Sequence, residues 1–317
     1  MPSVSIGLLR RLSDVTGDSA QALALACGVT QAGLRRALAR LAQAGLVECD
    51  GGRARLLRAF DFLDARRIAH ELGADIDVAV LDACGSTNSE LLQAPPHPRM
   101  RLLLAEEQTA GRGRRARRWL SPIGDGLALS LRRDFPHAPR DLAALSLAAG
   151  VAAARALRAL GARETRLKWP NDLLLGGAKL GGILVETRMQ GTAVAAVVGI
   201  GINMRSAAGL GARLRRRVAA LEDCLAPPPS RNTVAARIAR ELCGVLDAYE
   251  QRGLAAIRDE WEALDAYRGK RLRVRMADGS VLAGVAEGIA EDGGLRLRTA
   301  QGLRAVRSGH VILPRTA

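Results

Sequence analysis

Residues 106–119 read EEQTAGRGRRARRW, and the meaning given to this stretch decides how the rest of the chain is read. Gly111 and Gly113 lack a Cβ and let the backbone come close to a ligand. Gln108 offers an amide, and Arg112 and Arg114 offer planar, bidentate donors suited to phosphate or carboxylate. Trp119 supplies a flat ring that can stack on a purine. Such a loop can order over a reactive acyl phosphate and keep water from it. Taken by itself the stretch reads equally as an arginine-rich nucleic-acid segment or a solvated charged loop.

Three other stretches carry chemistry. The first is Lys168-Trp169-Pro170-Asn171-Asp172, followed by Lys179 and the run 180–186, LGGILVE. Asp172 suits a Mg²⁺ ion or a base, and Lys179 suits the place where a carboxylate meets an α-phosphate. Lysine is rare here: of 47 basic residues only Lys168, Lys179 and Lys270 are lysines. A compact ammonium retained among so many guanidinium forks points to a pocket the fork would not enter. Alone, Asn171-Asp172 reads as an ordinary turn. The second is Gly85-Ser86-Thr87-Asn88 before a short helix at 89–93, which alone reads as a helix cap. The third, 199–203 (GIGIN), ends a strand at Asn203 and alone reads as a tight turn.

Outward from these stretches the chain divides into three segments. In 1–62, Ser19 caps a helix over 20–27 and Thr30 caps a second over 31–44, with Leu34, Leu38 and Leu41 on one face. Strands at 46–49 and 53–57 flank Asp50-Gly51-Gly52, a hairpin signal. Helix-turn-helix plus hairpin reads as a winged helix, and Gln31, Arg35, Arg36 and Arg40 form a polar face suited to a DNA groove. The alternative is a small helical module that only packs. Residues 63–267 mix a small-residue helix at 142–160, strands at 167–175, 180–187 and 193–200, and amphipathic helices at 233–249 and 254–267. The short spacing between those strands predicts an antiparallel or mixed sheet, not a doubly wound one. Residues 268–317 alternate short strands (270–276, 281–289, 295–299, 303–307) with Asp-Gly and Gln-Gly turns, as in a small SH3-like β-barrel. The fold class is therefore α+β.

Composition narrows the partners. With 48% hydrophobic and 25% charged residues the chain can fill a core. A formal charge of +15 favours anionic partners. No apolar run spans a bilayer and no signal peptide is visible, which predicts a cytoplasmic protein without membrane contact. Five scattered cysteines and four separated histidines argue against disulfide, zinc and histidine-paired chemistry.

Taken together and in this order, the four stretches resemble the biotin–protein ligase family, specifically its bifunctional bacterial type that also represses the biotin operon. The resemblance covers essentially the whole chain and is most specific at 106–119 and at Lys168–Asp172 with Lys179. It implies a winged helix over 1–62, a mixed α/β catalytic domain of the biotin/lipoate ligase type over 63–267 and an SH3-like domain over 268–317. It further implies that Ser86, Thr87, Asn88, Gln108, Arg112, Gly113, Arg114 and Lys179 bind biotin. Arg114, Trp119, Lys168, Asn171, Asp172 and Asn203 would bind ATP or the adenylate. Lys179, Arg112 and Asp172 would carry the catalysis, with Asp172 also holding Mg²⁺. The implied partners are the biotin carboxyl carrier protein, operator DNA and a second copy of the chain when adenylate is bound. A lipoate or octanoate ligase, or a regulator that senses a ligand without catalysis, remain the competing expectations. Two positions depart from the family pattern: Gly85 where relatives often carry an acid, and a hairpin at 50–55 without a glycine-aromatic tip.

Overall fold

The computed structural model describes residues 3–14, 19–51, 53–73, 76–136, 142–191, 193–205, 211 and 217–312; Gly52 of the hairpin turn lies outside them. Three helices lead the chain: α1 (Val4–Asp14), α2 (Ala20–Ala26) and α3 (Gln31–Gln43). Ser19 and Thr30 cap α2 and α3, their side chains accepting from the backbone N–H of Ala22 and Gly33. Between the two helices Gly28 takes φ +62°, a left-handed turn that costs a glycine little. An antiparallel hairpin follows, β1 (Val47–Asp50) with β2 (Arg53–Leu56). Ile6, Leu9, Leu23, Leu34 and Leu41 close a separate small core that also takes in Ile123 from the next part of the chain. Gln31, Arg35 and Arg36 lie exposed on α3. Arg40, expected beside them on a DNA face, is also exposed, and its guanidinium pairs with the buried Glu107.

The central sheet has seven strands in the order β3-β4-β5-β9-β8-β7-β6. These are β3 (Asp77–Cys84), β4 (Arg101–Gln108), β5 (Gly126–Phe135), β6 (Arg166–Lys168), β7 (Asp172–Leu175), β8 (Ala178–Gln190) and β9 (Ala193–Asn203). Only β3 and β4 run parallel; the other pairings are antiparallel, so the sheet is mixed as expected. The strand read at 167–175 is in fact two, because Trp169-Pro170-Asn171 turns the chain and lays β6 back on β7.

Helix α4 (Ala65–Leu72), capped by Asp64, leads into this sheet, and α5 (Thr87–Gln93) follows β3. One sheet face is covered by α6 (Leu145–Ala159) and α7 (Arg231–Arg252). Helix α6 is apolar nearly all round and is correspondingly buried on most sides. Alternate side chains of β4 and β9, Leu103 and Val197, point the other way and pack on Leu91 of α5. The expected helix at 254–267 is shorter. A single 3-10 turn (Gly253–Ala256) precedes α8 (Arg258–Leu264), and Asp265 ends it in extended conformation, its carboxylate accepting from the N–H of Tyr267.

The last five strands, β10 (Arg271–Arg275), β11 (Val281–Ile289), β12 (Leu295–Thr299), β13 (Gly302–Val306) and β14 (His310–Ile312), form an antiparallel sheet ordered β13-β12-β11-β10-β14. Strand β14 went unread in the sequence because three residues carry no period. Leu272, Val274, Ala286 and Leu297 share one continuous core with α6 and the central sheet, and Trp169 donates its indole N–H to the carbonyl of Gly293 across the junction. Among the described residues no helix is long and apolar enough to cross a membrane.

Asp265 sits at this junction. The backbone beside it pairs with Leu167, and one carboxylate oxygen is buried without a partner. Burial pushes its pKa from the usual 3.8 to about 6. A carboxyl raised in the folded state contributes stability below its unfolded pKa and loses that contribution as pH rises through about 6. The displacement is worth about 3 kcal/mol. Asp265→Asn is expected to stabilise the protein by up to about this amount at pH 8 and negligibly at pH 4, measured by denaturant unfolding at both values.

Candidate functional site

The site grows from one face of the central sheet. Across the ladder Gly182 pairs with Gly201 and Leu184 with Gly199, while Ala128 and Ser130 of β5 stand opposite Gly201 and Gly199. Side chains alternate across a sheet, so these residues share the α5 side. Three of them have no side chain. A Cβ on residue 199 would stand 2.2 Å from Asn88 Oδ1, and one on residue 201 would stand 2.3 Å from the Trp119 ring. The bare glycines thus let α5 and the loop after β4 descend onto the backbone, leaving a pocket between them.

Its polar end is a closed hydrogen-bond network. Thr87 donates its backbone N–H to Gln108 Oε1 at 2.8 Å, and its hydroxyl lies 2.7 Å from Ser130 Oγ. Ser130 donates to Asn88 Oδ1 at 2.6 Å, while Asn88 Nδ2 donates to the carbonyl of Leu184 and to Glu186. Ser86 occupies the position before α5 without giving its side chain to the helix. The helix-cap reading of this tetrad therefore supplies the position but not the capping bond. Arg112, Gly113 and Trp119 complete the lining. Ser130, Glu186 and Gly201 are participants that sequence reading missed as site residues; nothing local marks a serine inside a strand.

Residues 109–119 form a ribbon folded on itself. Arg112 bridges Arg118, Gly113 N–H bonds the Arg117 carbonyl at 2.7 Å, and Trp119 N–H bonds the Gly111 carbonyl at 2.9 Å. At its tip Arg115 and Ala116 both take positive φ, 57° and 56°, a conformation that costs non-glycine residues on the order of 1 kcal/mol or more each. The Trp119 indole lies over Gly201 and Gly182 in the pocket, its N–H buried without a partner. Arg112 points to Glu186 at 2.9 Å, on the pocket side, and is absent from the lining of the neighbouring cationic cavity. In this structure it lines the pocket and ties the ribbon to the sheet.

The cationic cavity adjoins the pocket through Gly113 and Asn171, which line both. Its walls include Arg114, Arg115, Arg117, Arg118, Lys168, Lys179 and Arg217, and Asp172 is the one carboxylate among the described residues that line it. A bulge between β7 and β8 sets Lys179 there. Asp172 pairs with Gly182 and Leu173 with Gly181, but Leu174 then pairs with Lys179, skipping Leu180. The extra residue resets the alternation, so Leu180 enters the core while Lys179 faces the same side as Gly182. The Lys179 ammonium binds Asp172 and would stand 3.2 Å from a Cβ on Gly182; Lys168 reaches the other Asp172 oxygen at 3.8 Å. Burial, and then Arg115 nearby, lower the pKa of Arg114, which marks a poorly hydrated cation.

Asn171 is fastened to Ile183, giving its amide N–H to that carbonyl at 2.7 Å. Asn203, expected to touch nucleotide, is buried and donates to the carbonyls of Ala219 and Lys179, holding the start of β8 to residues 217–220. Tyr267 and His310 reach the cavity from the C-terminal part of the chain. Burial, and then the charges of Lys168 and Arg117, hold the His310 imidazole below its ordinary pKa. Among the described residues no group of three His, Cys, Asp or Glu side chains is placed to hold a metal ion. A single carboxylate already paired with ammonium does not make a resident metal centre, although it suits a cation arriving on a nucleotide's phosphates.

A half-polar pocket opening into a cationic cavity belongs with proteins that join a small carboxylic acid to a nucleotide, and the comparisons give that class its name. The profile of the Biotin/lipoate A/B protein ligase family matches residues 83–203, and that of the Biotin protein ligase C terminal domain matches 268–313. The "Bifunctional ligase/repressor BirA" of Escherichia coli K12 is 34% identical over 93% of this chain and 92% of its own length. The "Biotin--[acetyl-CoA-carboxylase] ligase" of Mycobacterium tuberculosis H37Rv is 34% identical over 79% of this chain and 95% of its own. Among solved structures, the biotin protein ligase of Aquifex aeolicus in complex with biotin and ATP aligns with a TM-score of 0.66 and 25% identity, covering 76% of this chain and 99% of that one. The chain belongs to the biotin protein ligase family.

The glycine floor can be tested without any ligand. Gly201→Ala is expected to push the Trp119 indole out of its seat, red-shifting emission and increasing acrylamide quenching. Trp169 and Trp261, only 3% and 1% exposed, supply the unchanged background. Unaltered emission and quenching would mean that the floor accommodates a methyl group.

Proposed function

We propose that this chain is an ATP-dependent biotin–protein ligase that makes biotinoyl-5′-AMP and passes the biotinoyl group to a lysine of the biotin carboxyl carrier protein of acetyl-CoA carboxylase. The observation that carries the reading is Lys179, whose ammonium is turned by the β7–β8 bulge to the seam between pocket and cavity. The ureido ring of biotin has two N–H donors and one carbonyl acceptor. The hydroxyls and amides of Ser86, Thr87, Asn88, Gln108 and Ser130 at the pocket's closed end suit it. The dithiolane of lipoate has no such groups to exchange hydrogen bonds with them. This favours biotin over lipoate or octanoate.

The chemistry brings two anions together. In the first step a biotin carboxylate oxygen attacks the α-phosphorus of ATP and pyrophosphate leaves. Lys179 offsets charge at the meeting point, and Arg114 and Lys168 act on the phosphates. Asp172 keeps the two ammonium groups apart and oriented, and Mg²⁺ enters as the counter-ion of the nucleotide. Trp119 packs beside the adenylate, and Asn171 and Asn203 fix the backbone on which the cations stand. In the second step the neutral amine of the acceptor lysine attacks the acyl carbon and AMP leaves. The ribbon over residues 109–119 shields the mixed anhydride from water in between.

The same reading assigns 1–62 as a winged helix, 63–267 as the catalytic domain and 268–317 as an SH3-like domain. Gln31, Arg35 and Arg36 on α3 would meet DNA, and Arg40 would join them only after leaving Glu107. Two adenylate-bound copies paired about a dyad would present two such helices to a palindromic operator of the biotin genes. The basic net charge and the repressor-type relative support this part. A fragment from upstream of biotin genes is expected to shift in a gel only when biotin and ATP are both present.

For the enzyme, the measurement is pyrophosphate release and biotinoyl-AMP formation from biotin and MgATP. Lys179→Gln should slow adenylate formation by about 10²-fold or more. Arg114→Gly should still form adenylate but lose it from the site at least about tenfold faster, so that bystander proteins become labelled. A wild-type protein that forms no acyl-AMP, or forms lipoyl-AMP in preference, overturns the assignment.

A further inference from the structure

We infer that Glu186 is a positioning residue that latches the 109–119 ribbon over the adenylate, acting through Arg112 and Asn88. The inference rests on the ligase reading above and adds to it the contact that decides how long the ribbon stays closed. Glu186 faces the pocket side of the sheet, in step with Gly182 and Leu184 along β8 and opposite Val197. It lines neither the pocket nor the cationic cavity. One of its oxygens, Oε2, accepts from two groups at once: Asn88 Nδ2 and Arg112, each at 2.9 Å. That single atom joins α5, which carries the polar end of the pocket, to the ribbon that closes it.

At the base of the ribbon Thr109 and Ala110 give their N–H groups to the carbonyls of Cys84 and Gly85 at the end of β3, but from Gly111 onward its backbone bonds stay within the ribbon. Its backbone contacts run from Arg112 to Arg118 and from Gly113 to Arg117, and Arg118 reaches only to the carbonyl of Thr109 at its base. Trp119 adds apolar contact over Gly201. Among the described residues, Arg112–Glu186 is the ion pair that binds ribbon to sheet. Asn88 is already held by Ser130 and Leu184, so Glu186 stands on a fixed partner and offers a fixed charge. The Arg112 side is 42% exposed and the Glu186 side 23%, so the pair is wet enough to open and close. A strained tip at Arg115 and Ala116 favours release when the pair breaks.

The test compares wild type with Glu186→Gln, Arg112→Gln and the double variant in the full-length chain. One readout is the half-time of adenylate retention. The other is the rate at which trypsin cuts the ribbon at its arginines in ligand-free protein, which needs no assumption about the ligand. Each single variant is expected to shorten retention and speed cleavage by about threefold to tenfold. The double should match the worse single within about twofold, as for two ends of one contact. Thermal melting should stay within a few degrees, which separates a latch from a general loss of fold. Rates for Glu186→Gln equal to wild type, or effects that multiply in the double, overturn the latch. Failure of the wild type to form adenylate overturns the ligase reading instead and leaves the trypsin result standing.

Discussion

A β-sheet can hold a small molecule against its own backbone only where its side chains are missing. Each strand of the central sheet places a side chain on the α5 face every second residue, and a row of ordinary residues there would fill the space. At Gly182, Gly199 and Gly201 the row is empty, and the register of β8 on β9 brings these gaps side by side. Asn88 and Trp119 then come closer to the sheet than any Cβ would allow. The pocket, the seat of the ribbon and the reach of α5 all depend on that bare patch.

The second constraint is electrostatic. Cations collected in one cavity repel one another, and burial raises the cost. The cavity handles this by placing Asp172 between Lys168 and Lys179 and by leaving most arginines on the ribbon, where water reaches them. The β7–β8 bulge performs two tasks with one residue: Leu180 fills the core and Lys179 is turned to the site. A regular ladder would bury the ammonium or expose the leucine.

Strand β4 links the site to the amino-terminal helices. Three consecutive side chains commit to partners in three different parts of the chain. Glu106 accepts from the Leu63 N–H and from the buried Arg231, Glu107 takes Arg40 and the Ser3 hydroxyl, and Gln108 binds Thr87. The Arg231–Glu106 pair is almost fully buried, and loss of one partner would cost on the order of 3–5 kcal/mol. Adjacent side chains of β4 thus touch α3 and α5.

The sequence by itself determined the local elements and the chemical inventory. Caps at Ser19 and Thr30, the apolar α6, the turn at Pro170 and the glycine-rich hairpins each rest on neighbours a few residues away, and each appears where such signals put it. Only the tertiary structure decided which of these meet. The bulge that turns Lys179 is set by the register of β7 on β8, and the glutamate that ties Arg112, the buried bonds of Asn203 and the pairing of Arg40 with Glu107 depend on partners 16 to 74 positions away. The early end of the helix read over 254–267 was missed for a related reason: apolar period continued through it while long-range pairing of Asp265 with Leu167 ended the element. Period and composition report a residue's preference for an environment, whereas its partner is set by strand register, and register is a property of the assembled sheet.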